Sequence, residues 1–312
     1  MASIETEKLT KVYRGKKTPA LQELDLKVDG GELFGFLGPN GAGKTTTIRI
    51  LVTLLRPTKG RASVAGHDVS QEPAEAMQSV GFMPENPGFY STLSGRQHLD
   101  YWAKLYGLNR ESLKDKINML LKRVGLSDAA DRKAKTYSLG MKRRLALAGS
   151  LISDPELLIL DEPSLGLDPE GMVFVRSLLK ELQEEGRTIF LSSHLLSEVE
   201  KLCTRVGIIS HGRLLRVDTP RALTQILGGT GRVLEVETRG VDSAILEKLK
   251  SIEGISRLEM QGNLLRVYGQ LGDETVAEVN KQLATAGVAI LSSRRLEPNL
   301  EDAFLDLTRE KT

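Results

Sequence analysis

The sequence predicts an α/β core that carries a helical insertion and is followed by a small α+β domain. Three observations predict it. Over roughly the first 225 residues, short β-branched runs alternate with amphipathic helical stretches. Strand character vanishes between about Pro87 and Asp154 and then returns. Beyond Gly228-Gly229-Thr230-Gly231, the best linker candidate, the order becomes β-α-β-β-α-β with one extra helix, the split ferredoxin-like arrangement. The expected domains are therefore residues 1–227, with their helical part near 87–154, and residues 228–312.

Each element has its own signal. Ile4–Leu9 and Leu24–Val28 alternate apolar with polar residues, as half-buried strands do. Leu33–Leu37 is an apolar run, and Thr45–Leu55 reads as a helix. Lys59-Gly60 closes that unit ahead of a strand at Arg61–Val64 and a turn at Ala65-Gly66-His67. Gly95–Tyr106, Glu111–Val124 and Leu139–Ser153 carry helical periodicity, with Ser94 and Asn109 placed as N-caps. Strands resume at Leu157–Leu160, Thr188–Ser192 and Val206–Ser210, and His211-Gly212 turns into Arg213–Val217. In the tail, Val233–Thr238, Ile255–Met260, Leu264–Tyr268 and Val288–Ser292 read as strands, the middle two around Gly262-Asn263. Asp242–Ile252, Glu274–Ala286 and Leu300–Thr308 read as helices.

Composition removes several classes. With 312 residues, 40% hydrophobic and 27% charged, the chain suits two globular domains, not a disordered, collagenous or membrane-spanning polymer. The polar, acidic start does not read as a signal peptide. A net charge of +2 gives no electrostatic argument for nucleic acid. The single cysteine, Cys203, excludes an intramolecular disulfide framework and fits a reducing compartment. His67, His98, His194 and His211 lie far apart and form no ligand-spaced cluster.

Two motifs carry chemistry. Gly38-Pro39-Asn40-Gly41-Ala42-Gly43-Lys44-Thr45 satisfies G-x-x-x-x-G-K-[ST] between an apolar strand and a helix, with Thr46 next in line. Such glycines let backbone N–H groups wrap a phosphate beside a helix N-terminus. Lys44 would reach the β- and γ-phosphates, and the Thr45 hydroxyl would ligate Mg²⁺. The second motif is Leu157-Leu158-Ile159-Leu160-Asp161-Glu162, whose acids stand at the carboxyl end of a buried strand, where open α/β sheets place ligands. Asp161 would hold Mg²⁺ through water, and Glu162 would polarise the attacking water. Together these describe an ATPase of the P-loop class.

The intervening residues narrow that class. Tyr137-Ser138-Leu139-Gly140-Met141 resembles the signature motif of ABC ATPases, and Met83-Pro84-Glu85-Asn86-Pro87 stands where their Q-loop stands. Tyr13 resembles the aromatic that stacks on adenine. Gly166-Leu167-Asp168 resembles the D-loop, and Ser193-His194 the switch histidine. The resemblance covers about 70% of the chain and implies a P-loop nucleotide-binding domain of the ABC type. Glu85 replaces the usual glutamine, Leu139 a glycine and Met141 a glutamine, and Arg143 stands where glutamine is common. Glu85 remains an oxygen ligand that can face Mg²⁺ or its waters.

The E-N-P variant, the Y-S-L-G-M signature and the tail ending Glu297–Leu305 resemble ATPase subunits of ABC-2-type exporters, which include drug-resistance, sodium and copper-maturation transporters. The resemblance implies a head-to-tail homodimer in which Ser138, Leu139, Gly140 and Met141 act on the other copy's ATP. It also implies a separate integral membrane permease and a peripheral position on the cytoplasmic face of the membrane. The tail carries no P-loop, no metal spacing and no nucleophile–base pair, so it reads as a domain that regulates or stabilises the dimer. The alternative is a non-transport ABC ATPase acting on nucleic acid or ribosomes, against which stand the single cassette and the near-neutral charge; no nucleic-acid partner is expected. Tyr90, Leu93, Tyr101, Trp102 and Tyr106 cluster in the helical part, either as a docking groove for the permease or as that part's own core.

Overall fold

Alternation at the amino end builds a first sheet. β1 (Ala2–Lys11) and β2 (Leu21–Asp29) pair antiparallel with Ile4 opposite Val28 and Thr6 opposite Leu26, so both strands turn their apolar residues to one buried face. The computed structural model describes residues 2–108, 113–227 and 233–296 and divides the chain into two compact units, 1–219 and 220–312.

In the first unit the apolar runs form a second, central sheet. β3 (Leu33–Leu37) is buried along its whole length and leads through the glycine-rich loop to α1 (Lys44–Leu51). β4 (Lys59–Val64) and β5 (His67–Asp68) complete the first sheet in the order β2-β1-β4-β5. α2 (Pro73–Gln78) and β6 (Val80–Met83) then return to the central sheet. The helical part comes next as α3 (Gly95–Leu105), α4 (Leu113–Arg123) and α5 (Leu139–Ser150), which pack on one another. Ser94 caps α3 in a reciprocal box with Gln97, as the sequence predicts. Asn109 lies outside the described residues.

The aromatic cluster divides between core and surface. Trp102 stacks near His98 and fills the space beside Gly149, where a Cβ would lie 2.6 Å from its ring. Tyr90 and Tyr106 are 55% and 49% exposed.

The chain re-enters the central sheet as β7 (Leu157–Asp161), α6 (Pro169–Glu184), β8 (Thr188–Ser193), α7 (Leu196–Leu202), β9 (Arg205–Ser210) and β10 (Arg213–Asp218). The order is β10-β9-β3-β8-β7-β6, parallel except for β10. β7 and β8 are buried throughout, which explains the apolar runs Leu157–Leu160 and Ile189–Leu191 within them. Phe34, Phe36 and Phe190 stack across β3 and β8 and hold these neighbours in register. The carboxyl ends of β3, β8 and β7 therefore lie side by side, with Leu37 level with Ser193 and Ser192 level with Asp161. That edge positions the site.

The second unit begins with α8 (Pro220–Leu227), ahead of the boundary expected after Leu227. It continues as β11 (Val233–Arg239), α9 (Ser243–Lys250), β12 (Ile255–Gln261), β13 (Leu264–Gly269), α10 (Asp273–Thr285) and β14 (Ala289–Leu296). The strands form an antiparallel sheet in the order β12-β13-β11-β14. Leu234, Val236, Leu265 and Val267 meet Leu249, Val279 and Leu283 of the helices in a core of their own. This is the predicted split β-α-β order. The glycine linker Gly228–Gly231, the helix expected at Leu300–Thr308 and the Glu297–Leu305 motif lie outside the described residues.

Candidate nucleotide site

The loop between β3 and α1 owes its path to two glycines. Gly43, the N-cap of α1, has φ +116° and its missing Cβ leaves room for Leu21 and the Ala20 carbonyl, so a larger residue is excluded twice over. At Gly38 a Cβ would come 2.4 Å from the Ile209 carbonyl oxygen. α1 starts with no side-chain cap and no acid in its first turn. Its first N–H groups are left to an anion.

The ends of two adjacent strands, β7 and β8, bring side chains to that N-terminus. Lys44, 7% exposed, donates from Nζ to the Gly38 carbonyl at 2.6 Å and stands 3.7 Å from Glu162 Oε1. The other Glu162 oxygen, Oε2, lies 2.8 Å from His194 Nδ1. Glu162 follows β7 with φ +51°, a left-handed conformation that a glutamate adopts only when its surroundings hold it there. Those surroundings are on β8: Ser192 Oγ accepts from the Glu162 N–H at 3.0 Å and donates to Asp161 Oδ1 at 2.6 Å.

Asp161 is buried, and burial raises its carboxyl above the usual range. The Ser192 hydrogen bond opposes that rise, Glu85 and Glu162 add to it through like charge, and Lys44 opposes it. Asp161 is thus buried beside two like charges, with one hydroxyl and one lysine to offset them.

These groups surround an open cleft of about 330 Å³. Of the predicted residues, Pro39, Asn40, Gly41, Gly43, Lys44, Thr45, Thr46, Glu85, Glu162 and His194 line it. Ala42 and Asp161 are buried. Tyr13 is 37% exposed and joined to the cleft through its hydroxyl, 3.2 Å from Thr46 Oγ1. Ser138, Leu139, Gly140 and Met141 are not among the lining residues. Ser138 caps α5, accepting from the Met141 N–H at 3.2 Å, and Leu139 is 52% exposed. Leu139 and Gly140 instead pack beside Gly166 and Leu167, so the signature and D-loop segments touch within one chain. Asp168 caps α6 through Oδ1, 3.0 Å from the Gly171 N–H. Ser192, Ala20 and Leu165 belong to the site but were not singled out by any sequence motif.

Comparison with known proteins decides the family. The family model described as ABC transporter matches residues 21–165. The linearmycin resistance ATP-binding protein LnrL of Bacillus subtilis is 34% identical over 98% of this chain and 98% of its own length. The chain belongs to the ABC transporter family. The bacitracin transport ATP-binding protein BcrA of Bacillus licheniformis is 37% identical over 97% of this chain and 96% of its own. A solved ATP-binding subunit of an ABC transporter superposes with a TM-score of 0.66, at 29% identity over 72% of this chain and 93% of that one. The chain is therefore an ABC ATPase. In the cleft, Lys44 rests on the Gly38 carbonyl, and Glu162 stands between Lys44, His194 Nδ1 and the Ser192 hydroxyl.

Proposed function

We propose that this ABC ATPase energises an ABC-2-type exporter. Two copies pair head to tail, and each ATP lies between Lys44 of one chain and Ser138 of the other. Binding closes the pair, and hydrolysis removes the γ-phosphate charge that bridges two positive helix ends. The observation that carries this reading is the split itself. One chain collects Lys44, Glu85, Glu162 and His194 around its cleft, yet the capped end of α5 lies outside it. A second copy supplies what the cleft lacks. Relatives of nearly the same length are named for linearmycin resistance and bacitracin transport, which favours the exporter reading.

Mg²⁺ fits these residues. No group of three or more His, Cys, Asp and Glu among the described residues could hold a metal alone, but Mg²⁺ binds through one or two protein oxygens, water and substrate phosphates. Thr45 would supply a hydroxyl, Glu85 a carboxylate and Asp161 a carboxylate through water. When bound, the ion would neutralise charge developing on the phosphates. The crowding of Asp161 by Glu85 and Glu162 is what a divalent cation would relieve. Among the described residues no helix is long and apolar enough to cross a membrane, so the work passes to a separate permease at the cytoplasmic face. The tail, with a core of its own, regulates or stabilises the pair.

The trans arrangement is tested by Ser138→Arg. The variant should bind ATP with near-normal affinity but fail to turn it over, because a bulky cation replaces a small helix cap. Mixed with Lys44→Ala chains, it should regain at most one working site per dimer. Full hydrolysis by a strictly monomeric preparation would refute the reading.

A further inference from the structure

Glu85 is shared by two cavities. It lines the ATP cleft and also a second cavity of about 410 Å³, whose wall includes Leu139, Lys142 and Arg143 of α5. Arg143 is only 5% exposed, and its Nε and Nη1 have no hydrogen-bond partner. A guanidinium keeps its charge, and burying it with idle donors is unfavourable unless carboxylates stand close by. Three acids act on it: burial lowers the basicity of Arg143, while the charge of Glu85, then Glu162 and Asp161, opposes that loss. Lys44 and Arg143 are the buried lysine and arginine among the described residues, and Lys44 is already engaged by the Gly38 carbonyl and Glu162. Lys135 and Lys142 also line the second cavity but reach solvent, so Arg143 is the buried cation that Glu85 can meet across it.

We propose that Arg143 is a positioning residue for ATP turnover, holding the Glu85 carboxylate at the wall between the two cavities. The proposal rests on the ATPase reading and on Glu85 facing the cleft. It gives α5 a direct electrostatic link to the state of its own cleft. When Glu85 turns toward charge in the cleft, Arg143 loses its counter-charge, and the helix that carries Ser138 responds. Arg143 touches no reacting atom; it acts through Glu85.

The test is a double-mutant cycle on the full chain with Mg-ATP, reading KM and kcat separately. Arg143→Gln should lower kcat about tenfold while KM for ATP changes less than about threefold. Arg143→Lys, which keeps the charge, should recover most of that loss. Glu85→Gln should lower kcat to a similar degree, and adding Arg143→Gln to it should cost little more, because the two act as one unit. Circular dichroism and thermal midpoints confirm that each variant is folded, and Arg143→Lys keeps the test decisive should Arg143→Gln unfold. Multiplying losses, an Arg143→Lys as poor as Arg143→Gln, or a silent Arg143→Gln would each overturn the proposal. Failure of the underlying ATPase reading looks different: the unmodified chain would then hydrolyse no ATP.

Discussion

Two buried acids, one in each unit, are treated in opposite ways. Glu235 of β11 is 5% exposed and lies between two arginines: Arg294 donates to Oε1 at 2.9 and 2.5 Å, and Arg266 donates to Oε2 at 3.2 Å. The Arg294 hydrogen bond, helped by Arg266, holds its carboxyl below the usual glutamate range despite burial. Asp161 of β7 is 3% exposed, receives one neutral hydroxyl from Ser192, and faces Glu85 and Glu162 of like charge. Burial therefore raises its carboxyl. An acid that serves the fold is matched by the fold. An acid whose charge is left over marks the place where a ligand completes the balance.

If that contrast is sound, changes at the two acids should separate chemistry from stability. The largest effect belongs to Glu162→Gln, which keeps shape but removes the carboxylate proposed as base, beside Lys44 and His194. Its kcat should fall by about 10²–10⁴-fold with ATP still bound, checked by phosphate release and nucleotide titration. An unchanged rate would move the base to another residue of the cleft.

A smaller, mixed effect is expected at Ser192→Ala. It deletes the hydroxyl that serves both Asp161 and the Glu162 N–H, so Asp161 loses its neutral donor. Turnover should drop about tenfold, and stability should fall by about 1–3 kcal/mol, read from denaturant midpoints. Lost stability with full turnover would make Ser192 a structural partner only.

The smallest effect on chemistry, and the sharpest on the fold, belongs to Glu235→Gln. It should destabilise the second unit by about 1–3 kcal/mol, toward the low end because Arg294 is 67% exposed, and leave kcat unchanged. The pH dependence follows from the depressed carboxyl. Its stabilising contribution is present at neutral pH and is lost as pH falls through the lowered folded value. Unfolding curves of the unmodified chain and the variant should therefore converge in acid. A gap that persists there would mean the arginines act through packing.

The same contrast explains what could be read from residues alone. The loop Gly38–Thr45 and the acids Asp161 and Glu162 are legible because a phosphate cradle and a strand-end carboxylate pair constrain consecutive residues. Ser192 is not, since its role depends on β8 lying next to β7, a pairing between residues far apart in sequence. β6 escapes the apolar-run signal because it has four residues and includes Gly81, whose Cβ would lie 2.0 Å from the Ser150 carbonyl oxygen. The helix expected over Thr45–Leu55 stops at Leu51, since Thr53 turns to φ +61° and Leu54 is 67% exposed. α6 has a start signal in Asp168-Pro169, a capping acid and a proline at its first turn. The β-α-β-β-α-β order of the second unit was legible because its strand and helix runs are short and separate, with β13 alternating buried and half-buried residues against the helices.

In the proposed mechanism, ATP and a second copy of the chain complete the charge balance of the cleft. Sedimentation of Glu162→Gln, with and without saturating Mg-ATP, tests it most directly. Nucleotide should drive a shift toward the dimer, and adding Ser138→Arg should abolish that shift. Sedimentation that ignores nucleotide, or a shift that survives Ser138→Arg, would contradict it.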